Sequence, residues 1–135
     1  MQVISRTVIV PPGKYFLGDP CYSLSQDQWD AVLGSSDYFN QPVGKADGHE
    51  VLGFSTAYGD GEYQDQYGNF FPVDAGLIGL VPEALIVLKG GSPVGYRRSL
   101  GIWVEFTTPT TCNNDDGVLT FGKHRINTKD EGEEA

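Results

Sequence analysis

Residues 51–73 read VLGFSTAYGDGEYQDQYGNFFPV, and this stretch indicates an antiparallel β fold. Val51 to Ala57 has the β-branched and aromatic content of a strand. The Asp-Gly pair within Tyr58 to Gly61 suits the positive φ angles of a hairpin-like turn. Tyr63 to Tyr67 and Phe70 to Val73 then flank a Gly-Asn pair as the two arms of a second hairpin, with aromatic cross-strand pairs. The stretch therefore predicts a meander.

The rest of the chain repeats this pattern of short apolar segments separated by glycine and proline. Further strand segments are predicted at Val3 to Val10, Lys14 to Leu17, Leu77 to Val81, Ala84 to Leu88, Gly101 to Phe106 and Val118 to Phe121. Residues 35–49 are polar and without period, which predicts a loop or lid. The core is expected to include Phe16, Leu17, Trp29, Leu33, Phe54, Leu77, Ile78, Leu80, Ile102, Val104 and Phe106.

One helix is predicted at about residues 25–33. Ser25 is a suitable N-cap, and Gln28 stands three residues later as its capping-box partner. Trp29 and Val32 fall on one helical face, and Gly34 is expected to end the helix in a left-handed conformation.

This order of elements lacks the strand-helix-strand alternation of a parallel sheet. The predicted fold is mainly β, an antiparallel sandwich or partly open barrel with one short helix. The length of 135 residues suits one domain, which we place at 1–127. Residues 128–135 form an acidic, apolar-poor end and are predicted to be a disordered tail.

The net charge of −9 disfavours direct binding to nucleic acids and to anionic membranes. The opening residues lack a signal-peptide pattern, and the longest apolar stretch, residues 75–88, is interrupted by Pro82 and Glu83. We therefore expect a cytoplasmic protein without a membrane span. In that compartment Cys21 and Cys112 are expected to be free thiols.

No catalytic signature of the serine hydrolases or zinc enzymes occurs in the chain. Cys21 with His49 or His124 is a weak nucleophile-base candidate. Asp60 and its acidic neighbours, Glu62 and Asp65, depart from the spacing of a calcium loop. No catalytic residue, metal ligand or cofactor is predicted. The sequence does not decide whether the protein is an enzyme, but it favours a non-enzyme.

Binding chemistry has better support than catalysis. Arg97 and Arg98 follow a glycine-rich segment, where backbone amides and guanidinium groups can hold an anion. The alternative is an ordinary hairpin with two solvated arginines. The seven tyrosines, several of them beside glycine, suit either a recognition surface or cross-strand packing.

Three motifs carry a resemblance: Gly18-Asp19-Pro20-Cys21-Tyr22, Thr56 to Gly61, and Pro72 to Gly79. Together with Trp29 on a short helix, the chain resembles a group of small, largely uncharacterised proteins of bacteriophages and bacteria over residues 14–82. The resemblance implies a phage origin and assigns no catalytic role. It marks Asp19, Tyr22, Tyr58, Asp60 and Asp74, each of which can also owe its place to turn formation.

We therefore hypothesise a phage-encoded, non-catalytic protein that sequesters a small nucleotide-like ligand, such as a host immune signal. The ligand-binding residues would be Asp19, Tyr22, Tyr58, Asp60, Asp74, Arg97 and Arg98. The tyrosines would stack on a base and the arginines would neutralise phosphate. The first alternative is an acidic inhibitor of a basic nucleic-acid-binding site on a host protein, and the second is a metal-dependent phosphoesterase. A pocket shared between subunits would enlarge ligand burial, so we expect a homo-oligomer.

Overall fold

The computed structural model describes residues 1–88 and 100–129, without the side chains of residues 87 and 88. The chain forms a β sandwich with short helices. The strands are β1 (Gln2–Ile4), β2 (Thr7–Val10), β3 (Gly13–Gly18), β4 (Val43–Ala46), β5 (His49–Ser55), β6 (Gly61–Gln64), β7 (Phe70–Val73), β8 (Leu77–Pro82), β9 (Gly101–Phe106), β10 (Thr110–Asp115), β11 (Val118–Phe121) and β12 (His124–Asn127). The helices are α1 (Pro20–Ser23), α2 (Gln26–Ser35) and α3 (Glu83–Leu88).

The strands make two five-stranded sheets and one separate hairpin. The first sheet has the order β1-β2-β10-β11-β12, and the second has the order β4-β5-β8-β3-β9. Strands β6 and β7 pair only with each other. The predicted meander is therefore wrong at Tyr58 to Gly61, because β5 and β6 lie in different sheets and the turn between them is not a hairpin. Every pairing is antiparallel, and no sheet closes into a barrel within the described residues. The predicted fold class is confirmed, and the sandwich is the form observed.

The second sheet is buried on both faces because its strands carry apolar side chains at consecutive positions. On β3, Tyr15 and Leu17 point into a core shared with the first sheet and with the β6-β7 hairpin. Phe16, between them, packs on the opposite face against Leu85 and other residues of the helical side. The middle layer of the molecule is therefore the second sheet, with helices on one face and the first sheet on the other.

A row of four glycines crosses the second sheet. Gly53 pairs with Gly79, Gly79 with Gly18, and Gly18 with Gly101, so the row runs through β5, β8, β3 and β9. A Cβ on Gly79 would lie 1.7 Å from the Leu52 carbonyl oxygen, and one on Gly53 would lie 2.6 Å from the Phe39 ring. These positions have no room for a side chain, so the row fixes how closely the backbones and the Phe39 ring approach.

Helix α2 confirms the predicted capping box. The Ser25 hydroxyl accepts from the Gln28 amide at 3.2 Å, and the Gln28 side chain accepts from the Ser25 amide at 2.9 Å. The expected left-handed end at Gly34 is wrong, because the helix continues to Ser35. The left-handed residues come later and include Phe39 with φ 60°. This conformation belongs to the chain reversal that places the Phe39 ring over the second sheet.

Several predicted element boundaries need correction. The segment Val3 to Val10 is two strands, because Ser5 adopts a left-handed φ of 61° and reverses the chain. Residues 35–49 are not only a loop, since β4 pairs with β5 there. Ala84 to Leu88 belongs to helix α3, in which Leu85 and Ile86 are buried. Strands β10 and β12 have no counterpart in the sequence prediction.

The C-terminal end of the described chain is tied to the fold at Thr128. Its side chain is fully buried, and its hydroxyl donates to the Gly117 carbonyl at 2.6 Å and accepts from the Ala57 amide at 3.0 Å. The ordered fold therefore includes the first residue of the segment predicted as a tail. Residues 130–135 of that segment lie outside the described residues.

The β6-β7 hairpin is held against β12 by a buried carboxylate. Asp65 accepts from the amides of Tyr67 at 2.9 Å and Asn69 at 3.0 Å, and its other oxygen lies 2.9 Å from His124 Nδ1. Burial raises the pKa of Asp65, but the hydrogen bonds from Asn69, His124 and Tyr67 outweigh it and hold the pKa below its usual value.

None of the helices in residues 1–88 and 100–129 has the length and apolar composition of a membrane-spanning segment. The thiols of Cys21 and Cys112 are both free, as expected from the sequence.

Candidate binding face

The three motifs that lie far apart in the chain meet on one side of the molecule. We call this surface the three-loop face and define it as residues 19–22, 56–61 and 74–76. Residues 19–22 follow strand β3 and open helix α1. Residues 56–61 run from the end of β5 to the first residue of β6, and residues 74–76 connect β7 to β8. The loops lie together because β5, β8 and β3 are neighbours in the second sheet. Four of the predicted site residues, Asp19, Tyr22, Asp60 and Asp74, are neighbours there.

Asp19 holds the first and third loops together. One carboxylate oxygen accepts from the Cys21 amide at 3.1 Å and so caps helix α1. The other oxygen accepts from the amides of Asp74 at 2.8 Å and Ala75 at 2.7 Å. The residue is completely buried, so its oxygens face protein groups and not solvent. In this structure Asp19 holds two loops together through backbone amides.

Thr56 holds the second loop in shape. Its backbone amide donates to the Gly76 carbonyl at 2.9 Å, which ties the second loop to the third. Its hydroxyl donates to the Gly59 carbonyl at 2.7 Å and accepts from the Gly59 amide at 3.1 Å. The Tyr63 hydroxyl donates to the same carbonyl at 2.6 Å. Gly59 has a φ of 102°, which a residue with a side chain rarely adopts.

The charged side chains that the three loops present to solvent are both acidic. Asp60 and Asp74 are exposed, and Tyr22 is half-buried beside them. An Asp60 oxygen lies 3.9 Å from where a Cβ on Gly76 would be, which places this carboxylate against the third loop. The pKa of the Tyr22 phenol is raised, first by burial and then by neighbouring negative groups, of which Asp74 is the largest. The face therefore carries a negative potential around a tyrosine.

Cys21 lies in the same negative environment and is unsuited to act as a nucleophile. Burial, followed by the charge of Asp19 and a hydrogen bond to it, raises the pKa of the Cys21 thiol to about 12. At neutral pH the sulfur is a thiol and not a thiolate. The proposed partner His124 is buried in its contact with Asp65 instead. The nucleophile-base idea has no support from this geometry.

Tyr58 and the arginine pair complete the predicted set of ligand-binding residues. Tyr58 is 54% exposed, and its backbone amide donates to the Thr128 carbonyl at 2.8 Å. Its ring pairs with no other aromatic ring of the described chain. Arg97 and Arg98, together with the glycine-rich segment before them, lie outside the described residues.

The carboxylates of Asp60, Glu62 and Asp65 do not point to a common site. Asp65 is turned inward to Asn69 and His124, while Asp60 and Glu62 are exposed. Among residues 1–88 and 100–129, no group of three or more histidine, cysteine or acidic side chains is arranged to hold a metal ion.

The sequence analysis includes Thr56 and Ala75 in two of the motifs but does not name either as a site residue. Thr56 shapes the second loop through its hydroxyl, and Ala75 contributes only its backbone amide. Thr56 stands three residues before Gly59, a spacing compatible with a local side-chain turn and therefore a usable signal. No comparable signal exists for Ala75, since any residue but proline supplies an amide.

Comparison of the chain with protein-family models, with curated proteins and with solved structures finds no match.

Proposed function

We propose that this protein is a non-catalytic binding protein that uses the three-loop face to hold a positively charged surface of another protein. The observation that carries the proposal is the placement of two exposed carboxylates, Asp60 and Asp74, beside Tyr22 on loops fixed by a buried aspartate. Loops held in this way lose little entropy when they bind.

Charge supports a basic partner over an anionic one. The whole chain has 18 acidic and 9 basic residues, and the described part of the face contributes only acidic and neutral side chains. A phosphate group would be repelled there, whereas lysine and arginine side chains would be attracted and steered. A basic nucleic-acid-binding site is a surface of this kind. The resemblance to small phage and bacterial proteins supports a host protein as the partner and the host cytoplasm as the place of action.

Tyr58 supplies the aromatic contact that such an interface needs. Tyrosine is enriched among the residues that dominate binding energies, because its ring offers a large contact area at low entropic cost. Tyr58 is exposed on the second loop, two residues before Asp60.

The experiment measures binding of a fluorescein-labelled peptide of alternating arginine and glycine by fluorescence anisotropy. The double variant Asp60→Asn/Asp74→Asn should bind about fivefold more weakly, from about 0.5 kcal/mol for each exposed charge pair. The matched control is Asp27→Asn/Asp30→Asn, which makes the same charge change on the exposed surface of α2. Equal weakening by both double variants would show that only net charge acts, and the three-loop face would be excluded as the site.

A second pair of variants tests the aromatic contact. Tyr58→Ala should weaken binding about tenfold, while Tyr38→Ala, which removes a tyrosine that is 75% exposed on another loop, should leave binding unchanged. Raising the salt from about 0.05 M to 0.3 M should weaken the wild type more than the Asp60→Asn/Asp74→Asn variant. A salt response that is the same for both would argue against the proposal.

Sequestration of a nucleotide-like ligand by Tyr22, Tyr58, Arg97 and Arg98 stays a prediction, since its phosphate-binding pair lies outside the described residues. Homo-oligomerisation also stays a prediction, and light scattering at micromolar concentration tests it. The metal-dependent phosphoesterase has no supporting side-chain cluster in the described chain.

A further inference from the structure

A concave surface lies at one end of the sandwich and is lined by residues of both sheets. We call it the end hollow. It has a volume of about 460 Å³, and its walls come from the β1-β2 turn and the β10-β11 turn of the first sheet, the end of β5, and the loop after α2. This volume is within the range of about 300 to 1,000 Å³ that is usual for small-molecule sites. The Asn114 side chain donates to the Ser55 carbonyl at 3.1 Å and so joins the two walls.

Arg6 gives the end hollow its cationic group. It is exposed on the β1-β2 turn, and its guanidinium forms no salt bridge within the described residues. Its own carbonyl accepts from the Asn114 amide at 3.4 Å, which ties the two turns together. The planar guanidinium can bind the oxygens of a phosphate group through two parallel hydrogen bonds.

The rest of the lining suits a small organic molecule. Ser5 and Ser55 contribute hydroxyl groups that make no hydrogen bond with the described residues, and Phe39 and Pro42 contribute apolar surface. The single acidic side chain of the described lining, Asp116, has its carboxylate 3.8 Å from the Lys129 ammonium, which offsets part of its charge.

We propose that the end hollow binds a phosphate monoester of nucleoside monophosphate size, with its phosphate on Arg6. The serine hydroxyls donate to the remaining phosphate oxygens, and the organic part lies against Phe39 and Pro42. This site goes beyond the proposed function of the three-loop face. It uses different residues and the opposite charge, and the two share only the start of the second loop at Thr56 and Ala57.

The test is isothermal titration calorimetry at about 0.15 M salt with adenosine 5′-monophosphate, adenosine and inorganic phosphate as probes. The monophosphate should bind, adenosine should bind at least tenfold more weakly, and inorganic phosphate should compete. Arg6→Gln should weaken monophosphate binding by about ten- to a hundredfold, the loss expected for hydrogen bonds to a charged group. The matched control Arg125→Gln makes the same charge change at an exposed residue of β12 outside the hollow and should leave the affinity unchanged.

Two further variants separate the hollow from general electrostatics. Asp116→Asn removes the acidic side chain of the lining and should tighten binding about two- to fivefold. Ser55→Tyr fills the hollow from an exposed position of β5 without a charge change and should abolish binding. Absence of heat with the wild type at millimolar monophosphate, or an equal loss for Arg6→Gln and Arg125→Gln, would overturn the proposal. Neither result affects the peptide-binding test of the three-loop face, so the two proposals fail separately.

Discussion

Replacing Asp19 with asparagine should destabilise the protein by about 2 to 4 kcal/mol. The carboxylate accepts three backbone hydrogen bonds, from Cys21, Asp74 and Ala75, and water has no access to replace them. An asparagine has only one side-chain oxygen to accept these bonds. If that oxygen accepts from the Cys21 amide, the asparagine NH₂ group faces the N–H donors of Asp74 and Ala75; in the flipped orientation the NH₂ group faces the Cys21 donor. A hydrogen bond to a charged group contributes about 1.5 to 3 kcal/mol, and part of the loss is offset because a charge is no longer buried.

Denaturation in guanidinium chloride, followed by tryptophan fluorescence, gives the change in unfolding free energy from the shift in midpoint at constant slope. The control is Asp115→Asn, an exposed residue of β10, which should change the free energy by less than about 0.5 kcal/mol.

Hydrogen exchange tests the stated cause of this loss. The amides of Asp74 and Ala75 donate to Asp19 in the wild type and should exchange faster in the Asp19→Asn variant. A wild-type midpoint for Asp19→Asn, or unchanged protection of both amides, would refute the assignment of Asp19 as the residue that holds the loops.

Three other predictions follow from buried groups and close backbone contacts. Burial and the neighbouring Asp19 raise the pKa of Cys21 to about 12, so iodoacetamide should react more slowly with Cys21 than with glutathione at about pH 7.5. The rate at Cys21 should still rise with pH at about pH 10, where the rate of an ordinary thiol, with a pKa of about 8.5, has levelled off. Rapid labelling of Cys21 at about pH 7.5, measured by mass spectrometry, would contradict this. The pKa of Asp65 is lowered in the folded state, so its stabilisation is present above the unfolded value of about 3.9 and is lost as the pH falls further. The melting temperature of the wild type should thus fall more between about pH 4 and 2 than that of Asp65→Asn, and parallel curves would disprove it. Gly79→Ala should lower the free energy of unfolding by about 3 kcal/mol, since the new Cβ meets the Leu52 carbonyl. Gly34→Ala should raise it by about 0.5 to 1 kcal/mol, because Gly34 lies in α2 and its Cβ would meet no other atom. Denaturant midpoints that shift in the same direction for both variants would count against this reasoning.

The features that the sequence predicted correctly depend on local chemistry. The capping box of α2 is formed by two residues three positions apart, and the β6-β7 hairpin is formed around an adjacent Gly-Asn pair. Alternation of short apolar segments with glycine and proline was enough to predict an antiparallel β fold.

The errors occurred where a local pattern fits two structures. Residues 83–88 read EALIVL and form α3. This run is apolar enough for a buried strand and also contains good helix formers, and six residues is a length that suits either a strand or a short helix. Ser5 reverses the chain without a glycine or proline to mark it. Strand β10 was missed because it is mostly polar, with Cys112 as its one fully buried residue.

The candidate site could be predicted only in part, since its decisive contacts join residues that are distant in the chain. Asp19 lies 55 residues from Asp74, and nothing local indicates that one accepts from the amide of the other. The row of four glycines could not be predicted either, because the glycines become neighbours only when the strands pair. Four residues of the predicted ligand-binding set, Asp19, Tyr22, Asp60 and Asp74, lie together on the face, but the sequence pattern did not indicate which of them support the loops.

The structure divides the motif residues into two groups, and this division decides which experiments test function. Asp19 and Thr56 hold backbone groups, so a substitution at either one changes the shape of the face whatever the face binds. Loss of binding in an Asp19 variant would therefore be expected even if no ligand ever contacted that residue. Asp60 and Asp74 are exposed, and the side chain of neither supports a loop through a hydrogen bond within the described chain. Substitution of these two carboxylates can change binding while the fold is preserved, so they are the residues at which the proposed binding function can be tested.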